Sequence, residues 1–364
     1  MYDIAIVGAG FSGSVLAERF SSEGRKVIVV EKRQHTGGNA YDHYDENGIL
    51  LHDYGAHIFH TNDEKVFSYL SKFTEWRLYQ HKSMAMVDGQ LVPFPINRKT
   101  LEMLYGTEAL KDGVEEFLSN VKKNILNPKN AEENVIARVG TELYEKFFKG
   151  YTEKQWGRPA STLRPSVTAR IPVRDNYDDR YFTDKYQVMP LHGYHNLFKH
   201  LLNNPRINLM LNTDWKDVKD IIPYKKLIFT GPVDEYFNYI YGKLKYRSLQ
   251  FKYRLYHKEY VQPVAGVKYS SNYDFTRTIE FKHLTGQKHE FTLVSEEYPS
   301  SDGEPYYPVP ADDTEELYKK YKKEADKLDN VKFVGRLATY KYYNMDQVVA
   351  SALSEFEKLI QMGW

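Results

Sequence analysis

Cysteine is absent from the 364 residues, which excludes disulfides, thiolate catalysis, thiolate metal ligands and a dithiol redox relay. The same absence fits a cytoplasmic setting. Net charge is nearly absent too: 50 basic and 49 acidic side chains leave +1, so no global field draws nucleic acid or a membrane surface. Any anionic partner must be small and met by local cations. No run nears the roughly 20 apolar residues of a membrane helix. The first ten residues hold no basic stretch before an apolar core, so no targeting segment is expected ahead of the first motif. There is no Walker motif and no ordered set of Ser, His and Asp. His52, His57 and His60 lack the spacing of a zinc helix, so no metal is expected. Tryptophan is scarce at 4, yet tyrosine reaches 31. Clustered tyrosines suit a pocket as well as a core, because each pairs a flat apolar face with a hydroxyl.

What is present begins with Ile4, Ala5, Ile6 and Val7, an apolar run that reads as a buried parallel strand. It ends in Gly8-Ala-Gly10-Phe11-Ser12-Gly13, followed by a helical pattern through Val15, Leu16, Ala17 and Phe20. A second strand, Val27 to Val30, ends at Glu31. Gly8 suits a tight turn, Gly10 the approach of backbone to a pyrophosphate, and Gly13 close helix–strand packing. The helix N-terminus offers free N–H groups to phosphate. Glu31, 23 positions after Gly8, falls where a carboxylate accepts from a ribose diol. Strand, glycines, helix, strand and acid in this order predict a dinucleotide site. The basic pair Lys32-Arg33 and a second glycine turn, Gly37-Gly38-Asn39-Ala40, favour FAD over NAD, since the chain runs on along an extended cofactor.

At this length two or three domains are expected, with no internal repeats and no low-complexity linker. A helix is predicted over Asp63 to Lys72 with Asn62 as N-cap, then a hairpin over 84–94 turning at Asp88-Gly89. Helical periodicity fills 99–148, broken near Pro128. Short apolar runs at 207–211 and 227–230 read as strands rejoining the first domain. Alternation over 246–298 (Phe251, Tyr253, Leu255; Val264, Val267, Tyr269; Ile279, Phe281; Phe291, Leu293) predicts an antiparallel sheet. Val331 to Arg336 reads as a buried strand ending in glycine, and a last helix is predicted from about Met345 to Gln361. The fold class is therefore α/β. A discontinuous Rossmann-type FAD domain (1–80, 193–240 and 318–364) carries a helical domain with a mobile lid (99–165) and an antiparallel sheet domain (81–98, 166–192 and 241–317).

Three constellations carry chemistry. Gly335-Arg336, then Tyr342 to Asp346 before the last helix, would place a helix N-terminus and a cation near a reduced flavin; an ordinary helix cap with a surface arginine reads equally well from this segment alone. Phe147-Phe148-Lys-Gly150-Tyr151-Thr152-Glu-Lys-Gln155-Trp156-Gly157 makes no clean amphipathic helix. Its aromatics could stack on a nucleobase. Phe147 and Phe148 could equally end a core helix, but Trp156 between Gln155 and Gly157 favours an exposed lid. Among many arginines, Arg170 in Ala-Arg-Ile-Pro and Arg277 in an apolar strand stand out. Two planar guanidiniums match the charges of a nucleotide-sugar diphosphate.

With these residues the chain resembles the bacterial UDP-galactopyranose mutase family. The resemblance rests on Gly8-Ala-Gly-Phe-Ser-Gly13, Glu31-Lys-Arg with Gly37-Gly-Asn-Ala40, Tyr54-Gly-Ala-His-Ile-Phe-His60 and Gly150-Tyr-Thr-Glu-Lys-Gln-Trp-Gly-Arg158. It continues through Arg170-Ile-Pro-Val-Arg174, Thr230-Gly-Pro-Val, Tyr246-Arg-Ser-Leu249, Glu304-Pro-Tyr-Tyr-Pro308 and Gly335-Arg-Leu-Ala with Lys341-Tyr-Tyr343. It implies interconversion of UDP-galactopyranose and UDP-galactofuranose through a covalent adduct of the sugar with reduced FAD, without net redox change, in the service of cell-surface polysaccharide. It implies that Phe147, Phe148, Tyr151, Thr152, Gln155 and Trp156 hold uridine and close the lid. Arg170 and Arg277 would bracket the diphosphate, assisted by Tyr181, Tyr307 and Tyr342, with His81 and Arg247 also on substrate. Gly8, Gly10, Phe11, Ser12, Gly13, Glu31, Lys32, Asn39, Ala56, His57, Gly335, Arg336, Tyr343, Asn344, Met345, Asp346 and Gln347 would hold the cofactor, with His60 beside the flavin as a catalytic residue. A homodimer is implied. Two positions depart from the family's pattern: Asn344 stands where many relatives carry an acid, and His81 where an Asn commonly meets the sugar. Both bear on whether N-acetylated sugars are accepted, while His60 keeps the galactose pattern. The alternatives are a flavin amine oxidase or dehydrogenase, and a non-catalytic flavoprotein that binds nucleotide sugars.

Overall fold

The computed structural model describes residues 1–270 and 272–364. Five parallel strands form one sheet in the order Ile207–Met210, Val27–Val30, Tyr2–Val7, Tyr224–Phe229, Val331–Phe333. Both faces are covered at the centre, where Val27–Val30 and residues 4–7 are apolar without alternation, while the edge strands carry Asn208 and Lys332. Ile4 and Ile6 turn into a core shared with Val15, Leu16 and Phe20 of the helix Phe11–Ser22 and Val349, Ala352 and Leu359 of the last helix, Met345–Gln361. Ala5, between them, faces the opposite way toward Trp215, Leu227 and Val331. The fingerprint helix lies so close to the first strand that a Cβ at Gly13 would stand 1.9 Å from the Gly8 carbonyl oxygen. Only glycine fits there. The expected βαβ unit, the strands near 207–211 and 227–230, the strand from Val331 and the last helix all form as read.

A second sheet has seven strands in the order Tyr307–Pro308, Tyr246–Tyr256, Thr292–Ser300, Arg277–Glu280, Gly266–Tyr269, Ser83–Val87, Gln90–Phe94. It is antiparallel except where Gly266–Tyr269 runs parallel to Ser83–Val87, because those strands come from distant segments joined without a hairpin. The hairpin turns at Asp88-Gly89 with positive φ at both, as its two-residue loop requires. Phe281 departs from the strand expected of it: the strand ends at Glu280, and Phe281–Thr285 makes a helical turn that buries Phe281 completely. A small sheet joins Phe59–Thr61 and Trp76–Leu78 to Tyr186–Pro190.

The helix predicted at Asp63 is shorter, Glu64–Leu70, and its cap is Asp63 rather than Asn62. Asp63 Oδ1 accepts from the Lys65 and Val66 amides, while Asn62 is spent on Asp184 and Lys185. The helical region holds Arg98–Tyr105, Val114–Val121, Ala131–Tyr144, Glu145–Lys149 and Gly150–Trp156 around a core of Phe94, Val114, Val139, Leu143 and Phe148. Among the described residues no helix is long and apolar enough to cross a membrane.

Candidate active site

A cleft of about 910 Å³ opens along the C-terminal edge of the parallel sheet, where doubly wound folds bind ligands. Gly8, Gly10, Phe11, Ser12, Glu31, Lys32, Asn39, Ala56, His57, His60, His81, Arg170, Tyr181, Arg277, Tyr307, Arg336 and Tyr342 to Gln347 line it. Gly13 and Gly335 do not. Gly13 sets the helix on the strand, and Gly335 gives room to Ser12, whose Oγ would lie 2.5 Å from a Cβ at 335. Glu31 is nearly buried; its carboxylate accepts from the Ala9 amide at 2.7 Å and the Arg33 amide at 3.0 Å, holding the glycine turn against the second strand. Glu304 pairs with both Lys32 and Arg33, which the motif reading passed over.

Two cleft histidines, His57 and His81, are kept neutral by burial. The His57 imidazole is pushed down to about 4 and His81 to about 3, each chiefly by desolvation, with the Arg277 charge adding to both. His60 Nδ1 lies 2.8 Å from Asp184 Oδ2, so the carboxylate fixes the proton on Nδ1, and the ring stacks on Phe182 at 3.7 Å. Arg336 lies over the rings of Tyr307 and Tyr342 at 4.7 and 4.8 Å, with its buried Nε unpartnered.

A smaller pocket of about 90 Å³ opens off this cleft. Phe94, Phe147, Phe148, Tyr151, Thr152, Gln155 and Trp156 line it, and Arg170, Tyr181, Lys268, Arg277, Tyr307 and Tyr342 line both spaces. With Ile171, which also lines both, these six form a throat between them. The segment expected as an exposed lid loop is helical instead: a wide π turn, Glu145–Lys149, runs into the helix Gly150–Trp156. Trp156 is only 6% exposed, its indole packed edge-on against Tyr342 at 5.6 Å. That burial corrects the expectation of an exposed Trp156 on a loop. Arg247, expected on substrate, lines neither space. Its Nε and Nη2 donate to the Gln155 and Lys154 carbonyls and its Nη1 bonds Ser301, so the guanidinium caps the end of the aromatic helix.

In the throat, Arg170 donates to the Tyr342 hydroxyl at 2.7 Å, and Arg277 Nε donates to Glu297 at 2.5 Å. Lys268 was not foreseen. Its ammonium donates to the Tyr181 hydroxyl at 2.9 Å and lies 4.1 Å from the centre of the Phe94 ring. A lysine inside an apolar strand is the same signal that singled out Arg277. Asp184 and Glu297 lay beyond motif reading because their partners are far away in sequence.

The cleft fits an extended dinucleotide such as a flavin. Gly10 and Gly38 face each other so that a Cβ at 38 would stand 3.0 Å from the Gly10 Cα, which leaves a bare backbone floor beside a helix N-terminus. At the far end Arg336, its Nε without a partner, and the N-terminus of the last helix offer positive charge.

The comparisons agree with this geometry. The sequence model of the UDP-galactopyranose mutase family matches residues 146–342, and that of an NAD(P)-binding Rossmann-like domain matches residues 6–73. A probable UDP-galactopyranose mutase of Klebsiella pneumoniae is 37% identical over 98% of this chain and 94% of its own. The dTDP-fucopyranose mutase of Escherichia coli is 35% identical, with 97% of each chain covered. A crystal structure of reduced UDP-galactopyranose mutase superposes with a TM-score of 0.81 at 18% identity, covering 100% of this chain and 96% of that one, a likeness of fold. At this identity over nearly its whole length, the chain belongs to the UDP-galactopyranose mutase family.

Proposed function

We propose that this protein interconverts UDP-galactopyranose and UDP-galactofuranose with no net redox change, using FAD in its reduced form. One observation carries the reading: a throat with Arg170 and Arg277 joins a dinucleotide cleft to an aromatic pocket. A nucleotide sugar spanning that throat would set its base among aromatics, its diphosphate between guanidiniums and its sugar toward the cofactor. When bound and reduced, FAD would supply the nucleophilic ring nitrogen.

The chain's part is binding and charge. Phe147, Phe148 and Tyr151 offer faces to the base, Thr152 and Gln155 offer polar groups, and Trp156 walls the pocket. Arg170 and Arg277 hold the diphosphate, with the hydroxyls of Tyr181, Tyr307 and Tyr342 as donors. Arg336 and the start of the last helix favour negative charge at the cofactor's far end. His60 is oriented by the bond from its Nδ1 to Asp184, which turns Nε2 away from that carboxylate. The three-part division given above, a homodimer and a cytoplasmic setting are proposed with this activity.

The test is turnover by the FAD-loaded protein after reduction with dithionite. UDP-galactofuranose should convert to the pyranose on HPLC, and the oxidised protein should not convert it. No conversion when reduced would overturn the reading. The amine-oxidase alternative predicts bleaching of the flavin by substrate without dithionite. dTDP-linked 6-deoxy sugars belong in the same assay, since a relative in the family is named for one.

A further inference from the structure

Lys268 lies directly beside Arg277. The two are register partners between the antiparallel strands Gly266–Tyr269 and Arg277–Glu280. Side chains of such partners stand on the same face of a sheet about 5 Å apart, and like charges there are destabilising. Along this row the next partner beyond Arg277 is Glu297, and the next beyond Lys268 is Ala85. The row thus holds two cations and one carboxylate. Glu297 is 1% exposed and bonds Arg277, and Lys268 has no carboxylate within ion-pair distance among the described residues.

What surrounds Lys268 instead is aromatic. Its ammonium lies 4.1, 4.8 and 5.1 Å from the ring centres of Phe94, Tyr181 and Tyr151. Burial pushes this ammonium down from its ordinary value, and the Arg277 and Arg170 charges add to that. A lysine kept in such a place, unpaired and next to another cation, is stabilised once an anion enters. Only one of its three N–H donors is taken, by the Tyr181 hydroxyl. That bond uses the hydroxyl's acceptor side and leaves its proton free for the same anion.

We propose that Lys268 is a third diphosphate-binding cation, meeting the phosphate that carries the sugar alongside Arg277. The proposal rests on the nucleotide-sugar reading above and adds a residue to it. When the bond from the anomeric carbon to the phosphate oxygen breaks, its electron pair leaves with that oxygen. The phosphate gains one negative charge, which a resident ammonium stabilises.

Calorimetric titration of the FAD-loaded protein with UDP and with UMP tests this. Lys268→Met should weaken UDP binding about 30-fold or more, the effect of removing one partner of a desolvated charge pair. UMP, which lacks the second phosphate, should bind within about threefold of wild type, and Lys268→Arg should recover most of the UDP affinity. Without nucleotide, Lys268→Met should melt no lower than wild type, because a like-charge neighbour is gone; a purely structural lysine would lower it. Lys268→Gln repeats the titration should the methionine variant misfold. UDP affinity equal to wild type in the variant, or equal losses for UDP and UMP, would overturn the role of Lys268. A wild-type protein that bound neither UDP nor dTDP would instead sink the nucleotide-sugar reading itself.

Discussion

Arg277 is held by one residue and meant for another group. Its Nε donates to Glu297, a carboxylate with 1% exposure whose second oxygen has no partner. Arg277→Ala therefore does two things at once. It removes a cation from the throat, and it strands a buried charge, which costs about 3–5 kcal/mol. Turnover should fall about 100-fold or more in kcat/KM while the protein keeps its yellow flavin colour. Adding Glu297→Gln separates the two effects: the melting temperature should recover and turnover should not. Loss of flavin in Arg277→Ala, or recovery of activity in the double variant, would show that Arg277 serves the cofactor or the fold instead. Arg277 is legible in the sequence as an arginine in an apolar strand. Lys268 carries the same signal, but its meaning depends on standing beside Arg277, and strand register is set by tertiary pairing.

At the scale of elements, the aromatic helix shows how local pattern misleads. Gly150 and Gly157 suggest a loop, yet with a period of 3.6 residues Phe147, Phe148, Tyr151, Thr152, Gln155 and Trp156 share one face, spaced i, i+1, i+4, i+5, i+8 and i+9. The structure is helical throughout, a wide π turn over Glu145–Lys149 leading into Gly150–Trp156, and Phe147, Phe148 and Trp156 are all buried. Trp156 is covered by Tyr307 and Tyr342, which come from far along the chain and are invisible to a local window. Arg247 completes the element by taking the carbonyls of residues 154 and 155. Hydrogen bonds to a charged group contribute about 1.5–3 kcal/mol each, so Arg247→Ala should lower the melting temperature and loosen UDP binding while flavin content stays at the wild-type level. Titration of UDP and the flavin absorbance read the two outcomes separately. Unchanged UDP affinity would mean that the helix holds its place without the cap. By contrast the first strand, fingerprint helix, second strand and last helix are legible outright, because in each the periodicity, the glycine spacing and the final burial agree.

At the scale of the whole molecule, distant segments meet in ways no window shows. Val27 pairs with Ile207, Tyr2 with Tyr224, and the carbonyl of the last residue, Trp364, accepts from Arg25. The same assembly buries histidines, and this makes the fold sensitive to acid. His52, set between Tyr194 and Phe281, and His81 are both pushed down to about 3, chiefly by burial. In the unfolded chain each takes up a proton near pH 6.5, and in the folded protein neither does until far lower. Between those values the unfolded state binds more protons, so stability rises with pH and is lost as pH falls below about 6.5. At pH 5 the loss is about 2 kcal/mol for each histidine, from about 1.5 pH units at 1.36 kcal/mol per unit. Asp42 runs the other way. Its carboxyl, which accepts from the Tyr194 and His195 amides, is pushed up to about 6 by burial, so its protonation favours the folded state as pH falls and returns about 1 kcal/mol at pH 5. The balance is a net loss, and thermal unfolding of the FAD-loaded protein between pH 7.5 and 5 should show the midpoint falling. His52→Phe fits among the same rings. It should start lower at pH 7.5, because the His57 amide loses its acceptor, yet decline less steeply toward pH 5. A midpoint that stays level or rises toward pH 5 in wild type would mean that these histidines are open to water and the cleft wall is looser than its packing describes.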